Sequence, residues 1–114
     1  MRFQRISSYR VMMIMVLFDL PTLTKTERKK ANRFRINLKK LGYRMMQLSV
    51  YIKSCYGIED MESEIKKVER ILEDTGEVCV LTITEKQYNN MKYYFQKHLG
   101  NVKIKSETEQ LMLF

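Results

Sequence analysis

Among the side chains able to do chemistry, Asp19 is set apart by its surroundings. It follows the apolar run VMMIMVLF, Val11 to Phe18, and precedes the basic block KTERKKANRFR, Lys25 to Arg35. Other reactive types are sparse. Cys55 and Cys79 lie outside any C-x-x-C pair, and the single histidine, His98, is too little for a zinc cluster or for a Ser/His/Asp or Cys/His hydrolase set. Chemistry in this chain has to rest on carboxylates.

An Asp between a strand and Leu-Pro is ordinarily a turn residue that accepts from nearby backbone amides. Two features give Asp19 more weight. The first 54 residues hold one other acid, Glu27, which has a capping position of its own. A two-fold axis near the first strand would also bring two copies of Asp19 together, where facing carboxylates repel unless a cation separates them. Mg²⁺ suits a carboxylate-poor site, because it keeps several waters and borrows phosphate oxygens from its substrate. Held there, it would polarise a phosphodiester and acidify an attacking water. Asp19 is therefore the candidate catalytic and metal-binding residue, with Mg²⁺ as cofactor.

The net charge of +8 is unevenly spread. Residues 1–54 carry 13 Lys/Arg against two acids, and residues 55–114 carry 8 against 11, so the halves stand at +11 and −3. Such an imbalance suits a polyanion, whose phosphates release counterions when Lys and Arg bind them. A lysine-rich solubilising face is the plainer alternative.

The elements that must position these groups follow from periodicity. At 114 residues with 45% hydrophobic content, the chain fits a single domain, residues 1–114, with a modest core. The longest apolar run, Val11 to Phe18, is well short of the roughly 20 residues of a membrane span, and a soluble, cytoplasmic protein is expected. After a basic lead of residues 1–9, Arg10 to Phe18 reads as a strand apolar on both faces, and Pro21 marks a loop. A helix follows from a Thr24/Glu27 capping box to Leu41. Ala31, Phe34, Leu38 and Leu41 form its buried stripe, Gly42 stops it, and Lys and Arg cover the rest.

From Tyr43 the period becomes two, with Met46, Leu48, Val50 and Ile52 on one face and Gln47, Ser49, Tyr51 and Lys53 on the other. This reads as one strand, or as two bent near Ser49. Glu59 to Asp74 is helical through Met61, Ile65, Val68 and Leu72. Glu77 to Thr84, EVCVLTIT, is again strand-like. A short helix after Thr84 is expected to turn Tyr88, Met91 and Phe95 inward and to stop at Gly100, and residues 101–114 end in a small apolar strand.

This order predicts an α+β, ferredoxin-like βαββαβ sandwich with an additional C-terminal helix and strand. Both main helices would cover one sheet face and leave the other bare. With a first strand apolar on both sides, a second copy is expected to cover that face, making a homodimer that exchanges its 101–114 strands.

The stretch LFDLPTLTKTERKKANRFRINLKKLGYRMMQLSVYIKSC resembles the Cas-two family of CRISPR-associated proteins, in the form found beside type II effector systems. The pairing of FDLP with GYRMMQLSVY carries the resemblance, which runs from Val11 through the third strand. It implies a small ferredoxin-like homodimer with Mg²⁺-dependent endonuclease activity on single-stranded RNA or duplex DNA. It also implies partnership with the Cas-one integrase in the complex that inserts new spacers. The family's metal-binding aspartate falls on Asp19, and the aromatic before it on Phe18. Its Ser-x-aromatic motif falls on Ser49 and Tyr51, and its basic first-helix segment on Arg28, Lys29, Arg33 and Arg35. The nine-residue lead departs from shorter relatives.

One aspartate per chain is a thin inventory for a metal nuclease. A non-catalytic DNA-binding bridge, needing only the basic helix and the dimer, is the alternative. A small-ligand regulatory domain is disfavoured, since four glycines include no Gly-rich phosphate loop.

Overall fold

The computed structural model describes residues 11–94. The expected lead at 1–9, the inward Phe95, the stop at Gly100 and the strand at 101–114 lie outside the described residues. The order is β1 (Met12–Asp19), α1 (Lys25–Lys40), β2 (Arg44–Gln47), β3 (Val50–Cys55), α2 (Gly57–Arg70), β4 (Glu77–Thr84) and α3 (Glu85–Asn89). The four strands form one antiparallel sheet in the order β2-β3-β1-β4. This is the ferredoxin-like arrangement, with β1 at its centre. No helix among the described residues is long and apolar enough to cross a membrane.

The central position of β1 explains its composition. Met12 through Val16 are all buried, because alternate residues feed two separate clusters. Met12, Ile14, Val16 and Phe18 pack with Phe34 and Leu38 of α1, with Tyr51 and with Val68 of α2. Met13 and Met15 pack with Met46 and Ile52 on the opposite face.

α1 starts as its sequence dictates. Glu27 N donates to Thr24 Oγ1 at 3.1 Å, and Thr24 N donates to Glu27 Oε1 at 2.9 Å. Such a cap stabilises a helix by about 1 kcal/mol. At the other end Tyr43 N donates to Leu38 O and Gly42 N to Lys39 O, a closure that requires the positive φ of 100° at Gly42.

Four expectations are corrected. Leu48, placed on a sheet face by period, sits at the β2–β3 turn and is 76% exposed, because the hairpin reverses there after a bulge between Met45 and Gln47. Leu72, expected inward, is exposed because α2 ends at Arg70; Ile71 packs on the core instead. α3 ends at Asn89, so Met91 falls beyond the helix and is exposed.

The fourth concerns the sheet face away from α1 and α2, which is not bare. Tyr88 packs against the methionine cluster, and Tyr93 Oη donates to Met46 O at 2.8 Å. The chain after β4 therefore covers part of it. Leu17 and Val50 stay half-buried on this face, and Cys79 and Leu81 stay exposed.

Among the described residues one charged side chain is buried. Glu64 of α2 accepts from Lys53 Nζ at 2.8 Å and from Lys67 Nζ at 3.2 Å, while Lys53 also donates to Leu41 O at 2.6 Å. This ties α2, β3 and the end of α1 together. Burial pushes the Glu64 carboxyl up, but the hydrogen bonds from Lys53 and then Lys67 outweigh it and hold the pKa below the usual glutamate value. A carboxylate depressed by folding adds stability above its unfolded pKa of about 4.3 and loses it as pH falls through the folded value. Glu64→Gln is therefore expected to lower stability at pH 7 and to flatten the loss below about pH 4.3, as read by urea melts from pH 3 to 7. A mutant whose acid limb overlays the wild type would contradict this assignment.

Candidate functional site at the end of the central strand

β1 runs one residue further than its apolar run, and its last residue is Asp19. The alternation of the strand puts Asp19 on the face of Leu17, away from α1 and α2. Its carboxylate is exposed and makes no hydrogen bond or ion pair among the described residues. It opens on a groove of about 470 Å³ at the strand ends, lined also by Leu17, Ser49, Val50, Glu77 and Cys79.

Two turns build this end of the sheet. Phe18 N donates to Ser49 O at 3.0 Å, which fastens the β2–β3 turn to β1. Gly76, at φ 80°, precedes β4, and a Cβ there would lie 2.6 Å from Asp19 O and 2.7 Å from Leu20 Cδ2. Only glycine fits both the dihedral and the space. Gly76→Ala is expected to destabilise the protein by about 1–3 kcal/mol and to displace the strand end. Thermal melts together with amide exchange at Asp19 and Glu77 would check it; an unchanged melting temperature would contradict the close packing.

The aromatic residues stand behind this groove. Phe18 is buried, edge-on to Phe34 at 5.2 Å and tilted against Tyr51 at 5.6 Å. Tyr51 is 1% exposed; burial raises its pKa, opposed by Arg35. Phe18 and Tyr51 therefore support the strand end from the core.

The basic residues of α1 fall into two groups. Arg28 Nη1 donates to Thr22 O and Leu23 O at 3.1 and 2.9 Å, closing the loop between β1 and α1. Arg33 is bidentate to Glu73, at 2.8 and 2.6 Å, and Lys30 meets Asp74 at 2.6 Å. The hydrogen bond from Arg33 holds the Glu73 carboxyl below its ordinary range. Lys29 is exposed and Arg35 half-buried, and neither has a hydrogen-bonding or carboxylate partner among the described residues. Arg35 stacks over the Phe18 ring, 5.7 Å from its centroid. Of the four basic residues expected to meet nucleic acid, Lys29 and Arg35 are the uncommitted pair.

One residue of the groove was not singled out from sequence. Glu77 opens β4 and lies directly opposite Asp19 in the β1–β4 register. Its position at the head of EVCVLTIT was visible, but an antiparallel register is set by pairing over distance, which one chain's periodicity does not reveal. Among the described residues no group of three or more His, Cys, Asp or Glu side chains is placed to hold a metal ion.

The model of the family described as CRISPR associated protein Cas2 matches residues 12–91, from the first residue of β1 to just beyond α3. The chain belongs to the Cas2 family. It is 43% identical over 105 residues to the CRISPR-associated endoribonuclease Cas2 of Campylobacter jejuni, covering 92% of this chain and 73% of that protein. It is 38% identical over 112 residues to the protein of the same name from Flavobacterium psychrophilum, covering 98% and 96%. A solved structure described as a crystal structure of cas2 superposes with a TM-score of 0.53 over 84% of this chain and 99% of that one. At 17% identity that likeness bears on the fold alone. The family resemblance read from FDLP and GYRMMQLSVY is thus borne out.

Proposed function

We propose that this Cas2-family chain is a Mg²⁺-dependent endonuclease of a CRISPR system, cutting single-stranded RNA at the Asp19 groove. The observation that carries the reading is a partner-free carboxylate at the end of the central strand, next in sequence to Phe18, whose ring carries the uncommitted Arg35 on the α1 side. The naming of the relatives as endoribonucleases supports the substrate class. The groove also suits the ion the family resemblance implies. Its oxygen donors that ionise are the hard carboxylates of Asp19 and, across the strand pair, Glu77, neither neutralised by a lysine or arginine among the described residues. Such a set suits Mg²⁺, which completes its shell with water and phosphate oxygens. The ion would supply charge stabilisation at the scissile phosphate and a more acidic attacking water. Asp19 would hold it, Arg35 would take a phosphate oxygen from the α1 side, and Phe18 would keep the Arg35 guanidinium in place.

A second role follows from the same surface. The chain would bind duplex DNA as a homodimeric bridge with the Cas-one integrase during spacer acquisition, the remaining exposed sheet face around Leu81 being covered by the second copy. The small acidic inventory of the described residues favours this reading over catalysis as the biological role.

Cleavage of a labelled single-stranded RNA with Mg²⁺ and with chelator tests the first reading, since chelator-resistant cutting would exclude it. Duplex binding against salt tests the second. Each phosphate contact removed, by Lys29→Ala or by Arg35→Gln, is expected to reduce the slope of log K on log salt by about 1. An unchanged slope in both variants would remove α1 from the binding surface.

A further inference from the structure

Two ion pairs join the basic helix to one connection of the chain. Arg33 Nε and Nη2 donate to the two carboxylate oxygens of Glu73, and Lys30 Nζ meets Asp74 Oδ1. The acids are consecutive, between α2 and β4, and the cations stand three apart on one face of α1. Lys29, read above as a phosphate contact, lies one turn before Arg33, so the paired cations continue the same strip. Docking of α1 does not depend on these pairs. Ala31, Phe34 and Leu38 are buried beneath it, the Thr24/Glu27 box caps its start and Gly42 closes its end. The Arg33 side chain is 53% exposed and that of Asp74 76%, and ion pairs in such settings contribute little to stability. Glu73, at 10%, is the anchored acid and Asp74 the labile one. Hydrogen bonds from Arg33 and Lys30 hold the two carboxyls below their ordinary ranges, so both are charged at neutral pH. In the fork of Arg33 a carboxylate presents two oxygens as a phosphate does.

We propose that Glu73 and Asp74 are a built-in competitor for nucleic-acid phosphate, holding Arg33 and Lys30 until a bound backbone displaces them. The inference rests on the reading of α1 as the nucleic-acid surface and adds how that surface is graded. Lys29 and Arg35 make the first contacts, and Arg33 and Lys30 are held in reserve. Replacing a carboxylate by a phosphate at one cation is close to an even exchange, so an isolated phosphate gains little there. A strand already engaged by Lys29 reaches Arg33 without a further association step, and only such a polyanion opens the pairs.

The test is binding of a labelled duplex DNA by the full-length protein, titrated across about 50 to 200 mM salt. Wild type is compared with Asp74→Asn, with Glu73→Gln/Asp74→Asn, and with Glu62→Gln/Glu69→Gln, which removes the same charge from exposed positions of α2. Glu73→Gln/Asp74→Asn is expected to bind at least about fivefold tighter at low salt and to steepen the slope of log K on log salt by about 1–2, roughly one per released cation. Asp74→Asn, at an exposed side chain whose change leaves the fold in place, is expected to give about half of that gain. Adding Lys30→Ala/Arg33→Ala to the double variant is expected to cancel it, and Glu62→Gln/Glu69→Gln to leave the slope unchanged. An equal gain in Glu62→Gln/Glu69→Gln would reduce the effect to general charge and overturn the competitor. A fall in affinity in Glu73→Gln/Asp74→Asn would overturn it too, since the acids would then orient the two cations toward phosphate. No gain there, with the slope still reduced in Lys29→Ala and Arg35→Gln, would overturn the competitor and leave α1 as the binding surface. No change in any of these variants would overturn both.

Discussion

Asp19→Asn is expected to lower Mg²⁺-dependent RNA cleavage at least about 100-fold while leaving RNA affinity and the melting temperature close to wild type. The size follows from position. Changing groups that only orient a metal ligand costs roughly 10–100-fold in metal affinity or activity, and the proposed function makes Asp19 a direct ligand. Specificity of the loss follows from exposure, since Asp19 packs in no core cluster and has no partner among the described residues. The amide keeps the shape and removes a negative charge that repels phosphate, so binding is not expected to weaken. Cleavage rates at saturating RNA, paired with anisotropy titrations, check both halves. Cleavage at the wild-type rate would remove Asp19 from the chemistry; a parallel loss of affinity would make it a binding residue.

Phe34→Ala carries the largest expected cost in stability. The ring is 0% exposed, faces Phe18 edge-on and joins the basic helix to the strand that ends in Asp19. Truncating a fully buried Phe costs about 3–5 kcal/mol in lost transfer energy and cavity, which for a domain of this size lowers the melting temperature on the order of 15 °C. The cavity lies beneath the site, so Arg35 loses the fixed ring it stacks on. A calorimetric scan decides the matter. A fall of less than about 5 °C would mean that α1 docks through other contacts.

How much of this was legible in the sequence depends on the range of the interaction involved. The α1 cap needed only Thr24 and Glu27 three residues apart, and its end only Gly42, so both were readable. The double-sided greasiness of Val11 to Phe18 correctly indicated a strand buried on both faces. What it left open was the cover. The chain's own segment after β4, through Tyr88 and Tyr93, supplies part of what had been assigned wholly to a second copy. The hairpin was legible only as one of two alternatives, a single strand or two bent near Ser49, because alternation runs unbroken from Met46 to Ile52 and the reversal at Leu48 and Ser49 contains neither glycine nor proline.

At the site, the strand-end acid was visible because it stands alone in a basic half of the chain. Partners 40 or more residues away were not. Arg33 looked like a phosphate ligand from its place in a basic run, but its bidentate contact is Glu73. Such a pair, with the Arg33 side chain 53% exposed, contributes about 0–1 kcal/mol, so it guides α1 more than it stabilises the fold. The register that sets Glu77 against Asp19 likewise belongs to the assembled sheet.

The central claim is that a cation held by Asp19 contacts the phosphate that is cut. Cleavage of an RNA carrying a single phosphorothioate at the scissile position, in each stereoisomer, tests it most directly. One isomer is expected to resist cutting in Mg²⁺ and to recover in Mn²⁺ or Cd²⁺, with no recovery in Asp19→Asn. Equal cleavage of both isomers and of the unmodified RNA in Mg²⁺ would contradict the claim.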